Sequence, residues 1–342
     1  MAYIPIWKDY PVTLGTGSSY DFEIRLDDSS GAVIYSGRAH KRPGAASVIT
    51  RVNDICAAYL AERLPALNIP AGFTSFAVAQ TFVVRAYVSG SWTTKATIEF
   101  YNDWSYDHGF NPATMPLSDP VTGELDPRQH LIFSTLPASS LTAVLTFEDG
   151  TTSTIVIQIA RSADFNNDFN NDFSLIDTAA HGGAAVVDLS AFTGLVSVTI
   201  GGVTYKVRQD ACPRYALYYV NAYGGWDSLL IDGPDRRIDG YDRHTMDMDY
   251  DNADTAARGR EDYAIEVTPT LELRTGYLTD QQSARMHHLL GSTNVFVCDL
   301  PTGVVRPVVL TNTECDYKRY KTGRTLNAYT ITAQVAQQFV RR

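Results

Sequence analysis

At several places the chain repeats one pattern: a segment of alternating apolar and polar residues, a short glycine-bearing turn, and a second such segment. "LTAVLTF" and "TTSTIVIQIA" meet around Asp149-Gly150, "LVSVTI" and "VTYKVRQ" at Gly201-Gly202, and "RYALYYV" and "WDSLLI" at Gly224-Gly225. Alternation puts successive side chains on opposite faces of a strand, and Asp-Gly or Gly-Gly supplies the positive φ angles of tight hairpin turns. A chain punctuated in this way is confined to antiparallel β architectures. Two more pairs fit: "YDFEIRL" with "AVIYSG" across "DDSSG" over residues 20–37, and "FAVAQTFVVRAYV" with "TKATIEFYNDW" across "SGSW". The 20 Tyr, 14 Phe and 4 Trp suit such sheets and buried interfaces.

Two stretches break the alternation. From about Ser47, Val48, Val52, Ile55, Cys56, Tyr59 and Leu60 recur at three- and four-residue spacing until Pro65, which predicts a helix packed on a small sheet. "TDQQSARMHHLLGS" predicts a second, with Thr279 as cap, Gln282 three residues later as in a capping box, and Gly291 after its end. A chain of 342 residues exceeds one ordinary domain. The expected divisions are a hairpin-plus-helix domain over 1–72 and an immunoglobulin-like β-sandwich over 73–162, though without the Cys…Trp…Cys spacing of true immunoglobulin domains. A linker over 163–185 follows, spanning "DFNNDFNNDF" and "TAAHGGAA", then an antiparallel β-domain with one helix over 186–342. The fold class expected is mainly β, with several antiparallel β-sandwich domains. Between the sandwich strands "SYDHGFNPATMPLSDPVTGELDPRQ" makes a long excursion, of a length that is often functional.

The chemistry-bearing patterns fail one after another. A formal net charge of −10 argues against nonspecific nucleic-acid binding; the one dense basic cluster, Lys318, Arg319, Lys321 and Arg324, reads as a solvated hairpin tip. Cys56, Cys212, Cys298 and Cys315 form no C-x-x-C. Cys298 and Cys315 fall in neighbouring predicted strands and could pair, although free buried thiols fit a reducing compartment better. Asp164, Asn166 and Asp168 match the start of an EF-hand loop, but Phe169 and Leu175 stand where Gly and Glu are needed. "DMDYDNAD" from Asp247 fails likewise at Asn252 and Arg258, which leaves only a looser calcium site open in either run. His287 and His288 are adjacent on a helix and point about 100° apart, so they cannot share a metal as i,i+4 histidines do. There is no G-x-S-x-G, no P-loop and no dinucleotide fingerprint. No catalytic residue, cofactor or metal is therefore expected. The N-terminus lacks the basic and apolar regions of a signal peptide, and no apolar run is long enough to span a bilayer.

The segments "IPIWKD", "IYSGRAHKRPG", "YALYYVNAYGGWDSLLIDG" and "LRTGYLTDQQSARMHHLLGSTNVFV", in that order, resemble a family of uncharacterised virion proteins of tailed phages and prophages of Bacteroidetes. The resemblance is clearest over 210–342 and weaker over 1–65. It implies a structural protein of the tail or head–tail connector region, made in the bacterial cytoplasm and kept in the virion. It also implies that the C-terminal block is like the one-helix β-sandwich of tail-tube and distal-tail proteins. The expected partners are other copies, forming a three-, six- or twelve-fold ring, and neighbouring tail proteins, with fibres or host-surface glycan possible. The family carries no catalytic residues to transfer.

Two regions supply candidate interface residues. In the hairpin around Gly224-Gly225, Tyr215, Leu217 and Tyr219 share one face and Tyr218 and Val220 the other. Both faces are apolar, so one should meet the core and the other a helix or a neighbouring subunit. Asp227 should bond the turn. The mixed-charge arm over 234–262 reads as a hydrated loop acting as an inter-subunit clasp. The candidates are Tyr218, Tyr223, Trp226, Arg236, Arg237, Asp247 and Asp249. Two rivals are a glycan-binding surface using Trp92, Trp104 or Trp226, and an enzyme using carboxylates among Asp235, Asp239, Asp242, Asp247, Asp249 and Asp251.

Overall fold

The structure, a computed structural model, describes the chain apart from residues 1–3, 17–20, 29–30, 41–44, 63–71, 78, 89, 106–109, 112–114, 120–123, 136–139, 159–180, 209–212, 248–259, 313–326, 337–338 and 342. It is mainly β, with 62% strand against 9% helix among the described residues, so period-two alternation sets the architecture. Two compact units emerge. One comprises Met1–Pro120, His130–Tyr205 and Asn221–Asp227; the other comprises Val121–Gln129, Lys206–Val220 and Ser228–Arg342. They are drawn differently from the divisions expected at residues 72, 162 and 185.

In the first unit one sheet runs Ile4–Pro5, Ser91–Tyr101, Ala79–Val88, Asp21–Asp27, Val33–His40 in spatial order. Both hairpins expected here form in antiparallel register. Its inner face, with Ile24, Leu26, Phe82, Val84 and Phe100, meets Val12 and Leu14 and the helix α1 (Asn53–Glu62) through Cys56 and Leu60. One core thus joins the first hairpin to strands beyond residue 72. The helix starts later than its spacing predicts: Ser47–Arg51 is a strand paired with Pro11–Thr16. Its β-branched Val48, Ile49 and Thr50 favour the pleat, and Val48 reaches the core from it.

The same unit holds a second pair of sheets. His130–Thr135, His181–Asp188 and Gly72–Ala77 form one. Thr152–Gln158, Ser140–Phe147, Leu195–Ile200 and Val203–Val207 run in order through the other. The turns expected at Asp149-Gly150 and Gly201-Gly202 are present, with positive φ at Gly150, Gly201 and Gly202. The Phe133 ring packs onto Gly201, in the space a Cβ would need. Part of the expected linker proves to be a buried strand: Ala184, Ala185, Val186 and Val187 lie in the interior of the sheet, where the small alanines allow close approach.

The sheet of the second unit runs Trp226–Ile231, of which Ser228 onward belongs to this unit, then Tyr215–Val220, Val295–Asp299, Val304–Leu310, Thr330–Val335, Arg260–Arg274, Asp235–Asp247, with Phe339–Arg341 beside Arg260–Arg274. The helix α2 (Asp280–Leu290) lays Met286 and Leu289 against Tyr215, Leu217, Tyr219, Leu271, Leu273 and Ile331. The expected capping box forms: the Thr279 hydroxyl accepts from the Gln282 N–H at 3.3 Å, and the Thr279 N–H donates to Gln282 Oε1 at 3.0 Å. Thr279→Ala should cost about 1 kcal/mol of stability, readable in urea unfolding.

Cys56 and Cys298 are free and buried; Cys212 and Cys315 lie outside the described residues. Burial pushes the Cys56 thiol up to about 12. Burial also raises Cys298, with the Tyr218 hydroxyl pulling the other way. Only the thiolate reacts. A Cys212→Ser, Cys315→Ser chain should therefore stay silent to a thiol reagent at pH 8 until denaturant is added; rapid labelling of the folded chain would contradict this.

Candidate functional site: a pinned turn and an open arm

The Tyr215–Val220 strand is buried from end to end. The alternation sorts its faces as expected, and α2 covers the face carrying Tyr215, Leu217 and Tyr219. Tyr218, on the other face, is 0% exposed within a single chain. It needs no neighbouring subunit to cover it, which removes it from the interface candidates.

Of the two turn glycines only Gly224 has positive φ, at +82°. A Cβ there would also overlap the Asn102 carbonyl oxygen. Gly225 is required for a different reason: a Cβ on it would sit 2.7 Å from the Leu117 oxygen and 2.8 Å from Ser134 Cβ. The turn is then held by a buried polar network in the first unit. Asn221 Oδ1 accepts from the Tyr223 and Gly225 N–H groups, both at 3.0 Å. Asn221 Nδ2 donates to the Leu117 carbonyl at 2.7 Å and to Asp227 Oδ2 at 2.6 Å. The same Asp227 oxygen accepts from the Asp119 N–H at 3.0 Å. Ser134 Oγ accepts from the Trp226 N–H at 2.7 Å and donates to the Trp226 carbonyl at 3.1 Å. Asp227 thus bonds the turn, and the long excursion contributes Leu117, Ser118 and Asp119 as its floor.

Trp226 is 1% exposed and has no face to offer a sugar or a subunit. Tyr223 is half-buried, its ring 4.5 Å from that of Phe110. Trp92 and Trp104 do reach the surface, at 38% and 45% exposure. Trp92 leans edge-on against Tyr87 at 5.4 Å between ring centroids.

The arm expected as a hydrated loop is a ladder. Asp235–Asp247 pairs antiparallel with Arg260–Arg274, from Asp235 opposite Leu273 to Asp247 opposite Arg260. Its charges concealed the strand, because a ribbon with two wet faces shows no apolar alternation. Arg236 and Arg237 lie exposed on it, Arg236 at 3.9 Å from Glu272 and Arg237 at 3.0 Å from Asp239. Arg243 bonds Asp262 at 2.6 Å, and His244 lies 3.4 Å from Glu266. Asp247 ends the strand; Asp249 lies outside the described residues. Asp239 and Asp242 differ by an odd number of positions and so point to opposite faces, which prevents them from flanking one scissile bond.

The arm also exposes side chains outside the expected candidates: Tyr241 at 62%, Tyr263 at 57% and Met246 at 46%. Among the described residues no group of three His, Cys, Asp or Glu side chains could hold a metal ion. The "DFNNDFNNDF" run lies outside the described residues. Scanned against models of protein families the chain matches none, and no curated protein matches it.

Proposed function

We propose that the protein is a structural subunit of a tailed-phage virion, acting as a homo-oligomeric ring in the tail or at the head–tail connector and binding neighbouring tail proteins. The observation that supports this best is the arm. A two-stranded ribbon carrying aromatic, apolar and mixed-charge side chains to solvent on both faces is poorly placed for catalysis and well placed to clasp another chain. The block over 73–162, read as immunoglobulin-like and holding the strands Ser140–Phe147 and Thr152–Gln158, would serve as a platform for fibres. Purified tailed particles should contain the chain in many fixed copies, countable by mass spectrometry and visible as a symmetric density. Particles that assemble and infect without it would overturn the reading.

The exposed Trp92–Tyr87 pair favours one secondary role, stacking on a host-surface glycan. If so, Trp92→Ala should lower glycan-array binding about tenfold or more, and Trp226→Phe should not. Equal binding by wild type and Trp92→Ala would remove it.

A further inference from the structure

The Asp235–Asp247 strand is the outermost of its sheet. Among the described residues no strand lies beyond it. At 13 residues it spans roughly 44 Å at the usual rise per residue. It contains no proline, and every described side chain from Asp235 to Met246 is exposed or half-exposed. The register shift in its ladder, between His244 and Thr245, places the extra residue on the partner strand: Ala264 and Asp262 are paired and Tyr263 is passed over. The outer edge therefore runs without interruption. Sheet edges of this length are ordinarily shortened, bulged or covered, since each leaves a row of unpaired backbone groups. The opposite end of the sheet, Trp226–Ile231, is almost wholly buried and cannot serve.

A second copy of the same strand fits this edge. Two copies paired antiparallel about a two-fold axis, with each sheet face continuous, bring residues of like parity opposite one another, so registers step in twos. Centred on Gly240, the pairing sets Arg237 against Arg243 twice. Centred on Asp242, it sets Asp242 against itself. Centred on Tyr241, the midpoint of the strand and its most exposed large hydrophobic side chain, it sets Asp239 against Arg243 twice, Tyr241 against Tyr241, Ile238 against His244 and Arg236 against Met246. Only the end residues, Asp235 and Asp247, face like charges. Arg243 already holds Asp262 in its own chain, and its five donors leave capacity for a second carboxylate.

We infer that two copies of this chain join by antiparallel pairing of Asp235–Asp247 about Tyr241, with Asp239 and Arg243 of each copy facing Arg243 and Asp239 of the other. The inference rests on the self-assembling role proposed above and names its two-fold contact. A two-fold contact cannot close a simple ring, so it joins subunits of facing rings in dihedral symmetry.

The test uses the full chain in two charge-reversed forms, Asp239→Arg and Arg243→Asp, followed by sedimentation equilibrium across concentration. Each form alone sets like charges opposite at two positions and should pair about tenfold more weakly than wild type. Mixed in equal amounts, the two are complementary at both positions, and pairing should return. Recovery on mixing is a result that loss of folding could not produce. Unchanged association of both single forms, or no recovery on mixing, overturns the inference. A wild-type ring indifferent to both substitutions would leave the ring proposal standing and sink this contact, whereas a wild-type monomer at every concentration would sink both.

Discussion

Gly224→Ala should lower the stability of the first unit by roughly 3 kcal/mol, the sum of a left-handed backbone cost and a steric one. The glycine sits at φ +82°, and the Asn102 carbonyl oxygen occupies the space a methyl group would take. Gly150→Ala, in the same unit, is the matched control. Its φ is +77°, yet nothing stands within 4 Å of a Cβ there. It should show only the backbone part, about 1 kcal/mol. Urea unfolding followed by tryptophan fluorescence would separate the two. Equal losses would mean that the Asn102 approach yields without strain.

Asp227→Ala should be nearly as damaging, by about 2–4 kcal/mol. The side chain is 2% exposed, and its removal takes the acceptor from the Asp119 N–H and from one N–H of Asn221 Nδ2, whose other N–H keeps the Leu117 carbonyl. Asp227→Asn keeps one acceptor oxygen of the same reach and should lose less. A change below about 0.5 kcal/mol for Asp227→Ala would show that water replaces the carboxylate at no cost, contrary to its burial.

Glycine was a reliable guide to this chain, and charge a poor one. The hairpins at Asp149-Gly150 and Gly201-Gly202 were legible because turn chemistry and alternation agree there. The capping box at Thr279 was legible for a similar local reason. Ser47–Arg51 misled because Val48 and Val52 happen to lie four residues apart, which imitates a helical face, whereas the β-branched run SVIT carried the better signal. Residues 181–185 looked like a linker because alanine and glycine are common in linkers, but small size is also what a tightly packed central strand needs.

At the candidate sites the local pattern marks a turn and a charged arm, but not which of their side chains reach solvent. "NAYGGWD" reads as a turn and forms one, but nothing local reveals that Leu117, Ser118, Asp119 and Ser134 close around it, since these lie about a hundred positions away in the chain. That long-range packing buries Trp226 within the first unit; in the second unit Tyr218 is buried as well, while Arg236, Arg237 and Tyr241 lie exposed on the arm.

The most direct test of self-assembly is the molar mass of the purified full chain in solution, by size-exclusion chromatography with light scattering and by particle averaging in the electron microscope. A symmetric assembly of many copies, with mass a whole multiple of 37.7 kDa, is expected. A monodisperse species of that single mass at every concentration, with no symmetric particles, would contradict it.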